Sequence, residues 1–174
     1  MSQTIFPLED ITPPLIFTHP FAPAVYDKSS PDDLTYAMGL FELSDVETWE
    51  ISLSPPDFLP NGSFVDLTMR FKASTTSSAD VLTAELFAGG VSIGSVDIGA
   101  TLSNAYQDFT IHATGVTDFN NLTVVFTLET FSASRTFYCS YVAATVSDPL
   151  PDDYYSTAQS LTTMGCGASF NVAT

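Results

Sequence analysis

Residues 63–73 read Ser63-Phe64-Val65-Asp66-Leu67-Thr68-Met69-Arg70-Phe71-Lys72-Ala73, and this stretch decides the fold. Val65, Leu67, Met69, Phe71 and Ala73 fall on one face, and Asp66, Thr68, Arg70 and Lys72 on the other. An extended backbone sends successive side chains to opposite sides, so a period of two marks a β-strand with one buried face. Downstream, Leu122, Val124, Phe126 and Leu128 repeat the pattern against Thr123, Thr127 and Glu129. Working outward, the same alternation predicts strands over 35–43, 46–53, 64–73, 81–88, 91–98, 106–113, 122–131 and 135–146. Gly89-Gly90 supplies a tight hairpin turn between two of them. The apolar phase slips between Ile93 and Val96, which predicts a bulge near Gly94-Ser95. No segment carries a helical period. Eight or nine antiparallel strands at short intervals fold most simply as an all-β, two-sheet sandwich of jelly-roll type.

The 174 residues suit one such domain with extensions, and 45% hydrophobic residues supply its core. Residues 25–148 hold the strands. Residues 1–24 read as an extended arm, because Pro7, Pro13, Pro14, Pro20 and Pro23 oppose a helix. The arm is nonetheless rich in large apolar groups, which predicts burial on this domain or on a neighbouring subunit. Residues 149–174 read as a C-terminal tail. Twenty acidic residues against four basic ones give a formal charge of −16. Such a surface repels phosphate backbones and anionic headgroups, so neither nucleic acid nor membrane is expected as a partner. The N-terminal residues show no basic region or apolar run of a secretory leader, and synthesis in a cytoplasm is expected. Cys139 and Cys166 are accordingly read as two thiols, with a disulfide between them as the alternative.

Three patterns bear on chemistry. Gly90-Val91-Ser92-Ile93-Gly94 matches G-x-S-x-G, but a nucleophile elbow needs a helix after the turn. This match sits inside a hairpin, and alternation points His112 outward with nothing to tie it to Ser92. Acidic pairs at Glu9-Asp10, Asp32-Asp33 and Asp152-Asp153 fit turn and capping roles better than catalysis; a structural surface calcium is the alternative use. Trp49 shares the phase of Ile51 and Leu53, which places it in the core. Tyr138 and Tyr141 fall on opposite faces by alternation, and no clear set of aromatics shares one outer face, as a sugar platform requires. The reading is non-enzymatic, with no catalytic residue, cofactor or metal site.

Four pieces of residues 26–146 resemble a jelly-roll domain of tailed-bacteriophage structural proteins. They are the opening motif Tyr26-Asp27-Lys28-Ser29-Ser30-Pro31-Asp32-Asp33-Leu34-Thr35-Tyr36, the short strand ending in Leu53-Ser54-Pro55-Pro56, the basic-studded strand 65–73, and Tyr106-Gln107-Asp108-Phe109-Thr110 followed by Asp118-Phe119-Asn120-Asn121-Leu122-Thr123-Val124. The loss of most basic residues and both terminal extensions depart from that pattern. The resemblance implies a virion component made in the host cytoplasm. It would be a capsid decoration (cement) protein on the outer surface of the head, bound to the major capsid protein as a homo-oligomer, for which a trimer is one plausible form. Phe6, Leu8, Ile11, Leu15, Ile16 and Phe17 would then anchor the arm, and removing residues 1–24 would leave the sandwich folded. A tail, neck or fibre adaptor and a carbohydrate-binding module are the alternatives on the same fold.

Overall fold

A computed structural model of the chain describes residues 2–12, 17–18, 37–41, 46–57, 63–74, 81–129 and 135–147. They form two antiparallel sheets. Sheet one contains β1 (Ser2–Ile5), β3 (Phe17–Thr18), β4 (Ala37–Phe41), β6 (Ser63–Ala73), β9 (Gln107–Val116) and β11 (Arg135–Ser147), in the order β3-β4-β11-β6-β9 with β1 also on β11. Sheet two contains β2 (Pro7–Thr12), β5 (Val46–Leu53), β7 (Val81–Ala88), β8 (Val91–Asp97) and β10 (Leu122–Glu129), in the order β2-β5-β10-β7-β8. This is the expected all-β jelly-roll sandwich.

The core lies between the sheets and consists of the residues that alternation turns inward. Val65, Leu67, Met69 and Phe71 of β6 face Trp49 and Ile51 of β5 and Val124 and Phe126 of β10, all fully buried. The Trp49 and Phe126 rings lie 5.0 Å apart and the Phe71 and Phe126 rings 5.3 Å apart, both tilted, the arrangement that ring quadrupoles favour. At the open edge, Gly94 of β8 approaches Ile111 of β9 so closely that a Cβ would lie 2.5 Å from its Cγ2. A side chain there would push the two sheets apart. The β7–β8 bulge lies one position before the expected place. Leu86 pairs with Gly94 and Phe87 with Ser92, which leaves Ile93 as the extra residue.

The N-terminal segment differs most from expectation. Ser2–Ile5 pairs with residues 144–147 of β11, and after Phe6 the chain passes to sheet two, where Pro7–Thr12 pairs with β5. Ser54 N–H donates to the Phe6 carbonyl at 2.8 Å, and Phe6 N–H donates to Ser54 Oγ at 3.3 Å, which fixes the crossing point. Ile5 is 1% exposed and belongs to the core. Residues 2–12 are therefore extended, as the prolines require, but they are part of both sheets. The sandwich is therefore expected to lose stability without residues 1–24, whose removal would strip the Ile5 side chain from the core and a strand from each sheet. Glu9 and Asp10 lie within β2 and not in a turn. The tail 149–174, with Cys166 and Asp152-Asp153, lies outside the described residues, as do Lys28 and Asp32-Asp33.

Candidate functional site

The two sheets carry different charge. The strands of sheet one contain Arg70, Lys72 and Arg135 against Asp66 and Asp108, so +3 − 2 gives +1. Those of sheet two contain no Lys, Arg or His but carry Glu9, Asp10, Glu47, Glu50, Glu85, Asp97 and Glu129, which gives −7. Among those of them whose side chains are described, Glu47 is the buried one. It is 7% exposed, in the inward phase with Trp49 and opposite Leu128. The described cationic residues of this strongly acidic chain are thus all on one sheet.

On the outer face of sheet one Arg70 and Lys72 meet tyrosines. In β11 the register against β6 shifts between Cys139 and Tyr141, so Ser140 is the extra residue of a bulge. Before the bulge Tyr138 pairs with Lys72, and after it Tyr141 pairs with Arg70. Lys72 and Arg70 both point outward from β6, so Tyr138 and Tyr141 share that outer face. The expectation that they lie on opposite faces fails because one inserted residue reverses the parity of every later side chain. The signal was in the sequence. Phe137 and Cys139 are apolar at odd positions, whereas Val142, Ala144 and Val146 are apolar at even ones, and only a bulge lets both sets face the core.

Two cross-strand rows result. In the first, Tyr106, immediately before β9, and Tyr138 of β11 flank Lys72 of β6. The Lys72 Nζ lies 4.4 Å from the Tyr106 ring centre and 4.8 Å from that of Tyr138, within cation–π range of both. In the second row, Arg70 lies between Asp108 and Tyr141. Arg70 Nη1 donates to Asp108 Oδ1 at 2.7 Å, and its guanidinium also lies 5.8 Å from the Tyr106 ring. Burial first, and the Asp108 carboxylate second, push the Tyr141 phenol above its ordinary value of 10.0. All the tyrosines among the described residues, Tyr106, Tyr138 and Tyr141, are in this patch, and each is half-buried. Farther along the same face, His112 Nδ1 donates to Asp66, and its ring lies 5.4 Å from Phe64.

The other sequence-derived candidates separate. Ser92 is exposed on the β7–β8 hairpin, and its Oγ donates to Glu85 of sheet two. His112 lies on sheet one beside Asp66, so the G-x-S-x-G residues do not meet a base there. Cys139 is a buried thiol whose Sγ donates to the Tyr141 carbonyl. Of the six arm residues, Phe6 is half-buried at the crossing between sheets, while Leu8 and Ile11 are 51% and 46% exposed on β2. Phe17 opens β3 opposite Gly39, with its side chain outside the described set; Leu15 and Ile16 also lie outside it. Leu8 and Ile11 do not reach the tyrosine patch, because β2 is on sheet two.

No known family description and no curated protein matches the chain. Solved structures do match. A Stig cyclase from Fischerella sp. TAU is 15% identical, with 76% of this chain and 73% of that one covered and a TM-score of 0.50. The C-terminal family-6 carbohydrate-binding module of the laminarinase LamC from Zobellia galactanivorans is 8% identical, with 84% and 100% covered and a TM-score of 0.48. The enzymatically active domain of tailspike protein 4 from bacteriophage CBA120 is 11% identical, with 83% of this chain but 19% of that one covered and a TM-score of 0.47. At these identities the likeness is one of fold.

Proposed function

We propose that this chain is a non-catalytic binding module that takes a saccharide on the outer face of sheet one. The observation that supports this most is the convergence of Tyr106, Tyr138 and Tyr141 with Lys72, Arg70 and Asp108 on that face, brought about by the Ser140 bulge. Tyrosine rings offer apolar walls with polar tips, which suits a sugar's C–H face and its hydroxyls together. Arg70 and Asp108 add a donor and an acceptor side by side for neighbouring hydroxyls. Tyr106 and Tyr138 sit two strand spacings apart, roughly 10 Å, which is room for a short oligosaccharide.

A glycan array probed with the full chain tests this. Specific retention is expected on at least one saccharide class, and Tyr138→Ala should weaken it at least tenfold while the fold stays intact. Failure to bind any glycan, or binding indifferent to Tyr138→Ala, rejects the reading.

One observation favours a second reading, the virion decoration protein that the family resemblance implies. Leu8 and Ile11 are exposed on β2, the edge of sheet two, in the segment that would contact the major capsid protein. A strand that is an edge among the described residues and carries exposed apolar side chains suits attachment to another subunit. The copy number of the chain per purified virion tests it. A number comparable to that of the major capsid protein supports decoration, and one lower by one or two orders of magnitude moves the protein to the tail, neck or fibres.

A further inference from the structure

Lys72 is the anomaly of the outer face. In a chain with 20 acidic and 4 basic residues, a cation is expected to find a carboxylate. Arg70 does so at Asp108, and His112 at Asp66. Lys72 does not: its contacts among the described residues are the rings of Tyr106 and Tyr138. The negative ring faces hold the ammonium without using its hydrogen-bond donors, whereas a carboxylate would have taken them. The first row therefore presents an uncompensated positive charge between two aromatic walls. The second row, about 7 Å away along the strands, is neutralised internally by Arg70 and Asp108.

We infer that the saccharide on this face is a mostly neutral oligosaccharide carrying an isolated carboxylate, a uronate-bearing chain, and that Lys72 recognises the acid. The inference rests on the saccharide reading above and specifies its ligand class. The carboxylate would seat on Lys72 Nζ between the two tyrosines. The adjoining neutral sugar would lie over the Arg70–Asp108 pair, which offers hydroxyl groups a donor and an acceptor but no net charge. A densely charged polyanion is disfavoured, because it adds negative charge against a chain of net charge −16. One local cation on an acidic body matches one anion among neutral residues.

The test is titration calorimetry of the full chain with matched pairs of xylo-, gluco- and galacto-oligosaccharides, neutral and singly uronate-substituted, and with a heavily sulfated oligosaccharide. Within a pair that binds, the uronate member is expected to bind at least tenfold more tightly, and that preference should shrink as salt is raised. Lys72→Gln should abolish the preference, so that this variant binds the two members of a pair with equal affinity. Tyr138→Ala should weaken both members. Circular dichroism and a thermal melt establish that each variant is folded. Equal affinity for both members, a preference that survives Lys72→Gln, or tightest binding of the sulfated chain overturns the inference and leaves the saccharide reading standing. No binding by any saccharide, here or on the array, overturns both.

Discussion

Gly89 and Gly90 show how one position's backbone requirement differs from its neighbour's. Both hold left-handed φ, 57° and 78°, as the tight β7–β8 turn demands. At Gly90 a Cβ would meet nothing within 4 Å, so Gly90→Ala carries only the left-handed backbone cost, about 1–2 kcal/mol. At Gly89 a Cβ would lie 2.7 Å from Asp118 Oδ2. That carboxylate cannot simply swing away, because Asn121 Nδ2 and Asn120 N–H donate to it. Gly89→Ala is therefore expected to lower stability more than Gly90→Ala in denaturant titration, and equal losses would contradict this account. Tyr141 gives a pH dependence. Its raised pKa means that the unfolded chain releases the phenolic proton first. The contribution is fully present below pH 10 and is lost as pH rises through the higher folded value. Unfolding experiments should show stability falling above pH 10, with a smaller fall in Tyr141→Phe, and ultraviolet titration should show that this variant has lost a late-titrating phenol.

Among the elements, β1 and β2 were the least legible in the sequence. All eight strands expected from alternation form, with bounds that agree to within a few residues, because most of them have one face on the core. Ser2–Ile5 has only Ile5 to bury, and Pro7–Thr12 has Leu8 and Ile11 exposed, so neither writes a period-two pattern. What places them is backbone pairing at sheet edges, which leaves no trace in side-chain type. Ile5→Ala should accordingly cost about 2–4 kcal/mol by calorimetry or denaturant titration. A loss below about 0.5 kcal/mol, the level typical of surface sites, would mean that β1 is a detachable arm after all. Leu8→Ser and Ile11→Ser should stay within that surface range, and any loss of particle association in them then reports on contact and not on folding. The bulge in β11 was legible in principle, through the parity change between Cys139 and Val142. The tyrosine patch that it builds was not, since rows across three strands depend on registers that no single strand encodes.

For the whole molecule, the division of charge between the sheets matters more than its total. Of the acidic residues in the strands of sheet two, Glu9, Glu50, Glu85, Asp97 and Glu129 are at least partly exposed and repel one another. Salt screens that repulsion, so the melting temperature should rise between roughly 10 mM and 500 mM sodium chloride, where the Debye length falls from about 30 Å to under 5 Å. A melting temperature that falls with salt would mean that attractive pairs such as Arg70–Asp108 dominate instead. Composition made the acidity plain; its segregation depends on which strands join which sheet. That assignment in turn bears on how the molecule comes into being. The strand that joins β1, β4 and β6 is β11, the last in chain order among the described residues, and Thr4 waits for Thr145 before it has a partner. As the polypeptide leaves the ribosome at about 5–20 residues per second, sheet one lacks its middle until residues 135–147 emerge. During those seconds β4 and β6 expose bare edges to other nascent chains, so production of soluble protein should respond to elongation rate and to chaperone supply in a way that the finished sandwich gives no hint of.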